Sequence, residues 1–351
     1  MAEGAAPPLP KNTRATTSAF FTGLVLDERY RLESLLGEGG MGTVWVGSQL
    51  ALQRCVAVKS LRFASPSHRA RLRREALALA AVHHPSIVEV YDYGETEGGI
   101  PYVVMELVRG ESLAARIERE GALHAEEAVN LMLPLLDGLA AAHRAGVVHR
   151  DIKPDNVVLA SGPTGVFLKL LDFGVARVDS EGDARLTLDG NMVGTPAYMA
   201  PEQMRCAATD ERVDVWGMGA LLYHLIAGEA PFGAHDLIVV MRRVLEDPPS
   251  YPRKAGGIDG RLWGILTAAL RKAPEERTPS ALALRDGLAS WLEARGITSP
   301  RWIAPASTHI PVSTLSLEPT VLAAPDSAVV PRSIDDSPPS FDVLIRTKLG
   351  G

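Results

Sequence analysis

The hydrophobic period of this chain changes once, near residue 110. Before that point β-rich runs follow one another between turns: Tyr30 to Leu36, Thr43 to Val46, Cys55 to Leu61, Ile87 to Tyr93 and Tyr102 to Leu107. A single helical stretch, the strongly basic His68 to Val82, interrupts them. After Gly110 the apolar spacing is helical over Ala125 to Ala145, Val213 to Ala227, Asp236 to Glu246, Leu262 to Arg271 and Ala281 to Arg295. A doubly wound sheet would require strands and helices in alternation. Segregation of this kind instead predicts an α+β protein, a small β-rich lobe followed by a larger helical one. Pro134 lies inside the first long helical stretch and predicts a kink or break there, a local cost of ~3 kcal/mol unless packing accommodates it.

Composition divides the chain into three zones. Residues 1–26 are rich in Ala, Pro and Thr without periodicity and read as a flexible arm. Residues 27–295 carry the ordered domain, with the lobes meeting at about 107 and 108. Residues 296–351 are rich in Pro, Ser and Thr and read as a mostly disordered tail, in which the apolar patch Phe341 to Ile345 could dock. The 351 residues suffice for two lobes with a substantial core, and 46% hydrophobic with 22% charged residues is ordinary for a soluble globular protein. A net charge of −6 gives no nucleic-acid footprint. The opening residues lack a secretory signal, and no run reaches the ~18 apolar residues of a membrane helix, so the expected location is cytoplasmic. Cys55 and Cys206 are far apart and lack metal-ligand spacing, as suits a reducing compartment.

Several segments carry chemistry. Gly37-Glu38-Gly39-Gly40-Met41-Gly42-Thr43-Val44 lets a backbone approach phosphates closely, because a Cβ would collide or forbid positive φ. A dinucleotide-binding turn would need a helix directly afterwards. The β-forming Thr43 to Val46 favours a loop between two strands. Val56-Ala57-Val58-Lys59 sets a cation in an apolar strand, where the competing explanation is an edge-strand lysine facing solvent. The centre of the chain holds His149-Arg150-Asp151-Ile152-Lys153-Pro154-Asp155-Asn156, followed by Asp172-Phe173-Gly174. Two such segments in this order and spacing are the most specific signal in the sequence.

Together these motifs resemble the bacterial eukaryotic-like (Hanks-type) serine/threonine protein kinases, over roughly Tyr30 to Arg295. The resemblance implies a two-lobed protein kinase fold and transfer of the γ-phosphoryl group of ATP to Ser or Thr hydroxyls of protein substrates. It implies Asp151 as the base accepting the hydroxyl proton, Lys153 at the γ-phosphate, and Asn156 and Asp172 as ligands of Mg²⁺, with Mn²⁺ as a chemical substitute. Lys59 would grip the α- and β-phosphates and be directed by Glu75, for which an i,i+4 surface salt bridge on the basic helix is the alternative. Leu36, Gly37, Glu38, Gly39, Gly40, Met41, Gly42, Val44, Ala57 and Val158 would enclose ATP. Met105, Glu106 and Val108 would form the hinge, with backbone groups bonding adenine.

By the same resemblance, Gly174 to Pro201 is the activation segment, and Thr195, Pro201 and Glu202 belong to the substrate platform. Arg277 would pair with Glu202, and Asp214 would anchor the backbone of the catalytic loop. Gly217 stands where the family more often has Ser, a departure expected to matter little. Arg150, next to the base, calls for a neutralising anion, and Thr187 is the phosphosite candidate, autophosphorylation being the expected source. A solvated loop threonine is the other reading. The rivals to a protein kinase are a nucleotide-binding scaffold without activity and a small-molecule phosphotransferase lacking the Gly194 to Glu202 platform. Partners would be protein substrates, phosphothreonine-binding modules reading sites such as Thr320 or Ser337, and a second copy in a transient homodimer.

Overall fold

A computed structural model of the chain describes residues 20–39, 42–61, 66–162, 165–173, 196–252 and 256–298. The small lobe is an antiparallel sheet of β1 (Val25–Leu26), β2 (Tyr30–Gly39), β3 (Gly42–Gln49), β4 (Arg54–Leu61), β5 (Val90–Glu95) and β6 (Pro101–Glu106), in the order β1-β2-β3-β4-β6-β5. Helix α1 (Pro66–Ala80) lies between β4 and β5 in sequence and buries Leu72, Ala76 and Leu79. Ladder register sorts the two faces of this sheet. Val44 stands opposite Lys59, Lys59 opposite Val103, and Ala57 opposite Met105. Directly opposed residues share a face, so these side chains point together toward the large lobe. The alternating residues Trp45, Val56, Val58, Tyr102 and Val104 form a separate apolar cluster on the other face.

Phe20 and Leu26 join that outer cluster, each 4% exposed. Gly23 donates to the carbonyl of Leu32, and Leu32 donates to that of Leu24. The segment 20–26 is therefore part of the lobe and not of a flexible arm. Two buried apolar side chains and a short strand outweigh its unpromising composition. The rest of the expected arm and nearly all of the expected tail lie outside the described residues. The strand expected from Ile87 starts at Val90, because the backbone of Ser86 and Val88 bonds Leu170 of the large lobe.

In the large lobe, β7 (Gly110–Ser112), β8 (Val157–Gly162) and β9 (Gly165–Leu170) form a second antiparallel sheet, and α2 (Leu113–Glu120) follows β7 with Ser112 as its N-cap. These pieces are short, and the sequence pattern did not single them out. Helix α3 (Ala125–Arg144) runs across Pro134 without a break. The carbonyl that Pro134 cannot satisfy belongs to Asn130, an exposed residue, while Leu133, Leu135 and Leu136 lock the helix into the core. Helices α4 (Pro201–Met204), α5 (Arg212–Ala227), α6 (Leu237–Leu245), α7 (Gly260–Ala269) and α8 (Ala281–Glu293) complete the lobe. Nearly every residue of α5 from Val213 to Ile226 is buried, as expected of a helix apolar on all sides at the centre of a domain.

Candidate active site

The site is organised around a buried carboxylate. Asp214, near the start of α5 and 1% exposed, accepts from the backbone amides of His149 and Arg150, both at 2.7 Å, and from His143 Nε2 at 2.8 Å. Arg150 has φ +63, a left-handed conformation that costs a non-glycine residue energy. The bonds from Asp214 hold it there. His149 is fully buried: its Nδ1 accepts from the Asp151 amide at 3.2 Å and its Nε2 donates to the Leu171 carbonyl at 2.8 Å. That pattern requires the neutral Nε2–H ring, and burial pushes the His149 pKa down, with Asp214 opposing. The imidazole thus ties the Asp151 loop to the segment leading into Asp172.

A short 3₁₀ turn, Pro154–Asn156, returns the chain so that Asn156 Nδ2 donates to the Asp151 carbonyl at 2.7 Å and to Asp151 Oδ2 at 3.0 Å. Lys153 Nζ lies 3.4 Å from the same carboxylate oxygen. Across the cleft, Lys59 Nζ is 3.3 Å from Asp172 Oδ1. Lys59 sits on β4, inside the sheet between β3 and β6, so the edge-strand explanation does not hold. Asp172 also has positive φ, +53, and Phe173 after it is buried. Behind Met105, a small apolar cavity is lined by Leu79, Val88, Val103 and Phe173, with Lys59 and Asp172 at its polar end. Lys59, Asp151, Lys153, Asn156 and Asp172 are therefore brought together between the lobes.

The glycine-rich segment forms the end of the β2–β3 hairpin, with Gly37 opposite Val44 and Gly39 opposite Gly42. Gly40 and Met41 lie outside the described residues, as do Gly174, Thr187 and Thr195. Leu36 and Val44 are half-buried near the hairpin end, Glu38 is exposed, and Ala57, Met105 and Val158 are buried. On the other side of the catalytic loop, Pro201 and Glu202 open α4. Glu202 forms a bidentate pair with Arg277, at 2.7 and 2.9 Å, with both residues buried. Gln203 links the two regions, donating to the Arg150 carbonyl at 2.9 Å and accepting from the Ala200 amide at 3.0 Å.

Residues 30–283 match the protein kinase domain family. The chain belongs to that family. Serine/threonine-protein kinase PknB of Mycobacterium tuberculosis is 35% identical over 320 residues, 89% of this chain and 50% of the relative. A serine/threonine-protein kinase of Myxococcus xanthus is 36% identical over 274 residues, 76% of this chain and 50% of the relative. The chain spans about half the length of these curated relatives. The crystal structure of the Mycobacterium tuberculosis PknI kinase domain is similar with a TM-score of 0.60 at 28% identity, covering 78% of this chain and 99% of that one. The α+β, two-lobed protein kinase fold expected from the sequence is the fold observed.

Two placements differ from what the resemblance implies. Glu75 does not direct Lys59 in this arrangement: Glu75 Oε1 faces Arg71 Nε at 3.0 Å and Arg150 Nη1 at 3.5 Å, while Lys59 faces Asp172. Two guanidinium groups hold the Glu75 carboxylate, and the carboxylate of Asp172 satisfies the lysine. Gly217 is also less neutral than expected. A Cβ built there would stand 2.8 Å from Ile152 Cβ, so α5 presses on the catalytic loop where a serine would displace it.

Sequence reasoning missed His143 and Gln203. A histidine near the end of an otherwise apolar helical run was a faint sign of the first; Gln203 left no local signal. It also missed the bond between the Tyr198 hydroxyl and His224 Nδ1, which ties the segment before α4 to α5.

Proposed function

We propose that this chain is a serine/threonine protein kinase that transfers the γ-phosphoryl group of ATP to protein hydroxyls. The observation that carries the reading is the convergence of Lys59 with Asp172, and of Asp151 with Asn156 and Lys153, on facing walls of one cleft. In this reading Asp151 accepts the hydroxyl proton, and Lys153 beside it offsets the negative charge gathering at the transferring group. Both amide hydrogens of Asn156 point to Asp151, which leaves its oxygen as the outward acceptor. That oxygen and the Asp172 carboxylate are hard donors suited to Mg²⁺, or Mn²⁺, which would draw the remaining ligands from water and the triphosphate. The metal, when bound, neutralises triphosphate charge. Lys59 would grip the phosphates, and the hinge backbone at Glu106 and Val108 would hold adenine.

The arrangement of Glu75 supports a resting state. Arg150 Nη1 lies 3.5 Å from Glu75 Oε1; a phosphate on Thr187, placed by autophosphorylation between transient partners, would compete for Arg150 and loosen Glu75 so that it could turn toward Lys59. Glu202, Pro201 and Thr195 would carry the acceptor peptide. ATP supply and the free thiols of Cys55 and Cys206 suit a cytoplasmic location. Among the described residues no helix is long and apolar enough to cross a membrane. Phosphothreonine-binding modules remain partners of this proposal through Thr320.

Transfer of ³²P from labelled ATP to the protein itself and to a generic protein acceptor tests the reading. Asp151→Asn should abolish it with the fold intact by circular dichroism. Wild-type-like transfer by that variant, or none by the wild type with Mg²⁺ present, would refute it. Thr187→Ala should lower activity, and a fully active unphosphorylated protein would remove the Thr187 switch.

A further inference from the structure

We propose that Lys169 is a positioning residue for the nucleotide: it ties Glu106, where the small lobe ends, to β9 of the large lobe, and so fixes the hinge backbone. The nucleotide half of this inference rests on the kinase reading; the tie itself does not.

Lys169 is only 6% exposed, an unusual place for an ammonium group. It stands opposite Val158 in the β8–β9 ladder, so both side chains leave the second sheet on the face toward the small lobe. A cation in apolar surroundings persists only when paired. Its Nζ bonds Glu106 Oε2 at 2.5 Å. The partner carboxylate is itself placed: Glu106 donates its amide to the Glu89 carbonyl at 2.9 Å, and the Glu89 amide approaches Glu106 Oε2 at 3.4 Å. The loop before β5 is stitched to β9 as well, through Leu170 N to the Ser86 carbonyl at 2.8 Å and Val88 N to the Leu170 carbonyl at 3.1 Å. Lys169 thus bonds the end of β6 directly, while the loop before β5 is bonded both to Glu106 and to the neighbouring Leu170.

The field of that ammonium is felt nearby. His84, 5% exposed in a socket beside Gly138, has its pKa lowered to about 4 by burial first and by Lys169 and Arg144 next. Glu106 is the last residue of β6, and Leu107 to Arg109, outside regular secondary structure, connect it to β7 of the large lobe. The ion pair spans that connection. Without it, Glu106 and Val108 keep their sequence but lose the restraint that sets their amide and carbonyl directions.

Lys169→Met keeps length and removes charge, and Glu106, partly exposed, can then take water. In nucleotide-free protein, hydrogen exchange at the amides of Glu89 and residues 106–108 should quicken in Lys169→Met and not in Lys169→Arg. In phosphoryl-transfer assays the KM for ATP should rise about tenfold while kcat stays within about threefold, and Lys169→Arg should restore most of the KM. Glu106→Gln should shift both readouts the same way, and Glu106→Gln with Lys169→Met should be no worse than Lys169→Met alone. A merely structural lysine would lower the active fraction, and so kcat, with KM and hinge exchange unmoved; that result, or additive effects of the two substitutions, overturns the tie. A wild type without phosphoryl transfer defeats the kinase reading, while the exchange comparison still decides the tie.

Discussion

Arg277→Met should be the most damaging single substitution outside the catalytic cleft. The guanidinium is 3% exposed and every side of it is used: two bonds to Glu202 at 2.7 and 2.9 Å, one to the Arg271 carbonyl at 3.0 Å, one to the Arg212 carbonyl at 2.7 Å and a longer one to the Lys272 carbonyl at 3.3 Å. Its Cζ also lies 5.2 Å from the centre of the Trp216 ring. Methionine would fill the volume but leave Glu202 as a buried carboxylate without a counter-charge, which costs ~3–5 kcal/mol. The unpaired carbonyls push the figure toward the upper end. For a domain of this size, ~4 kcal/mol corresponds to a fall in Tm of about 8–16 °C. Urea denaturation of the wild type, Arg277→Met, Glu202→Leu and the double variant completes the cycle. The double variant should be more stable than Arg277→Met, because no charge is then stranded. A loss below about 1 kcal/mol in Arg277→Met, or a double variant weaker than both singles, would refute this account of the pair.

Asp214→Asn replaces a carboxylate that accepts three hydrogen bonds with an amide that must donate on one side, so Arg150 loses its restraint; kcat should fall on the order of a hundredfold with stability reduced, as followed by steady-state kinetics and urea titration. Gly217→Ser should leave overall stability within about 1–2 kcal/mol, because gained helix propensity offsets overpacking, yet lower kcat on the order of tenfold by moving Ile152 between Asp151 and Lys153. Acid should weaken the fold: the unfolded chain protonates His84 near its ordinary 6.5, whereas the folded chain does so only at about 4, so the unfolded state binds more protons and stability falls as pH drops through that window. His84 alone accounts for up to about 3 kcal/mol, and His84→Gln should flatten the slope measured by urea titration between pH 7 and pH 5. Burial lowers His149 and His224 in the same sense, so some slope should remain.

Much of the architecture was legible because it depends on local period. The alternation through Tyr30 to Leu36 and Cys55 to Leu61, and the helical spacing of Val213 to Ala227, survive as β2, β4 and α5 almost unshifted. The candidate site residues were legible because two short segments, His149 to Asn156 and Asp172 to Gly174, hold most of them at fixed spacing. The pieces that local pattern missed are those whose bonds are long-range. Ile87 reads as strand but is taken by Leu170; Phe20 sits in a run of poor composition but joins the cluster that holds Trp45 and Tyr102; Pro134 reads as a break but falls where the helix exposes Asn130.

Sequence alone determined which groups this protein owns: a lysine in a strand, a carboxylate and an amide five residues apart, a second carboxylate before Phe173. Tertiary structure decided which of them satisfy one another. Lys59 could bond Glu75 or Asp172, and Glu75 could bond Lys59 or Arg150; in this arrangement the second choice holds in each case. Lys169 carries no motif, yet buried beside Val158 its charge is answered by the Glu106 carboxylate. Ion pairing depends on distances of a few ångströms in a dry interior, and a linear pattern does not contain those distances.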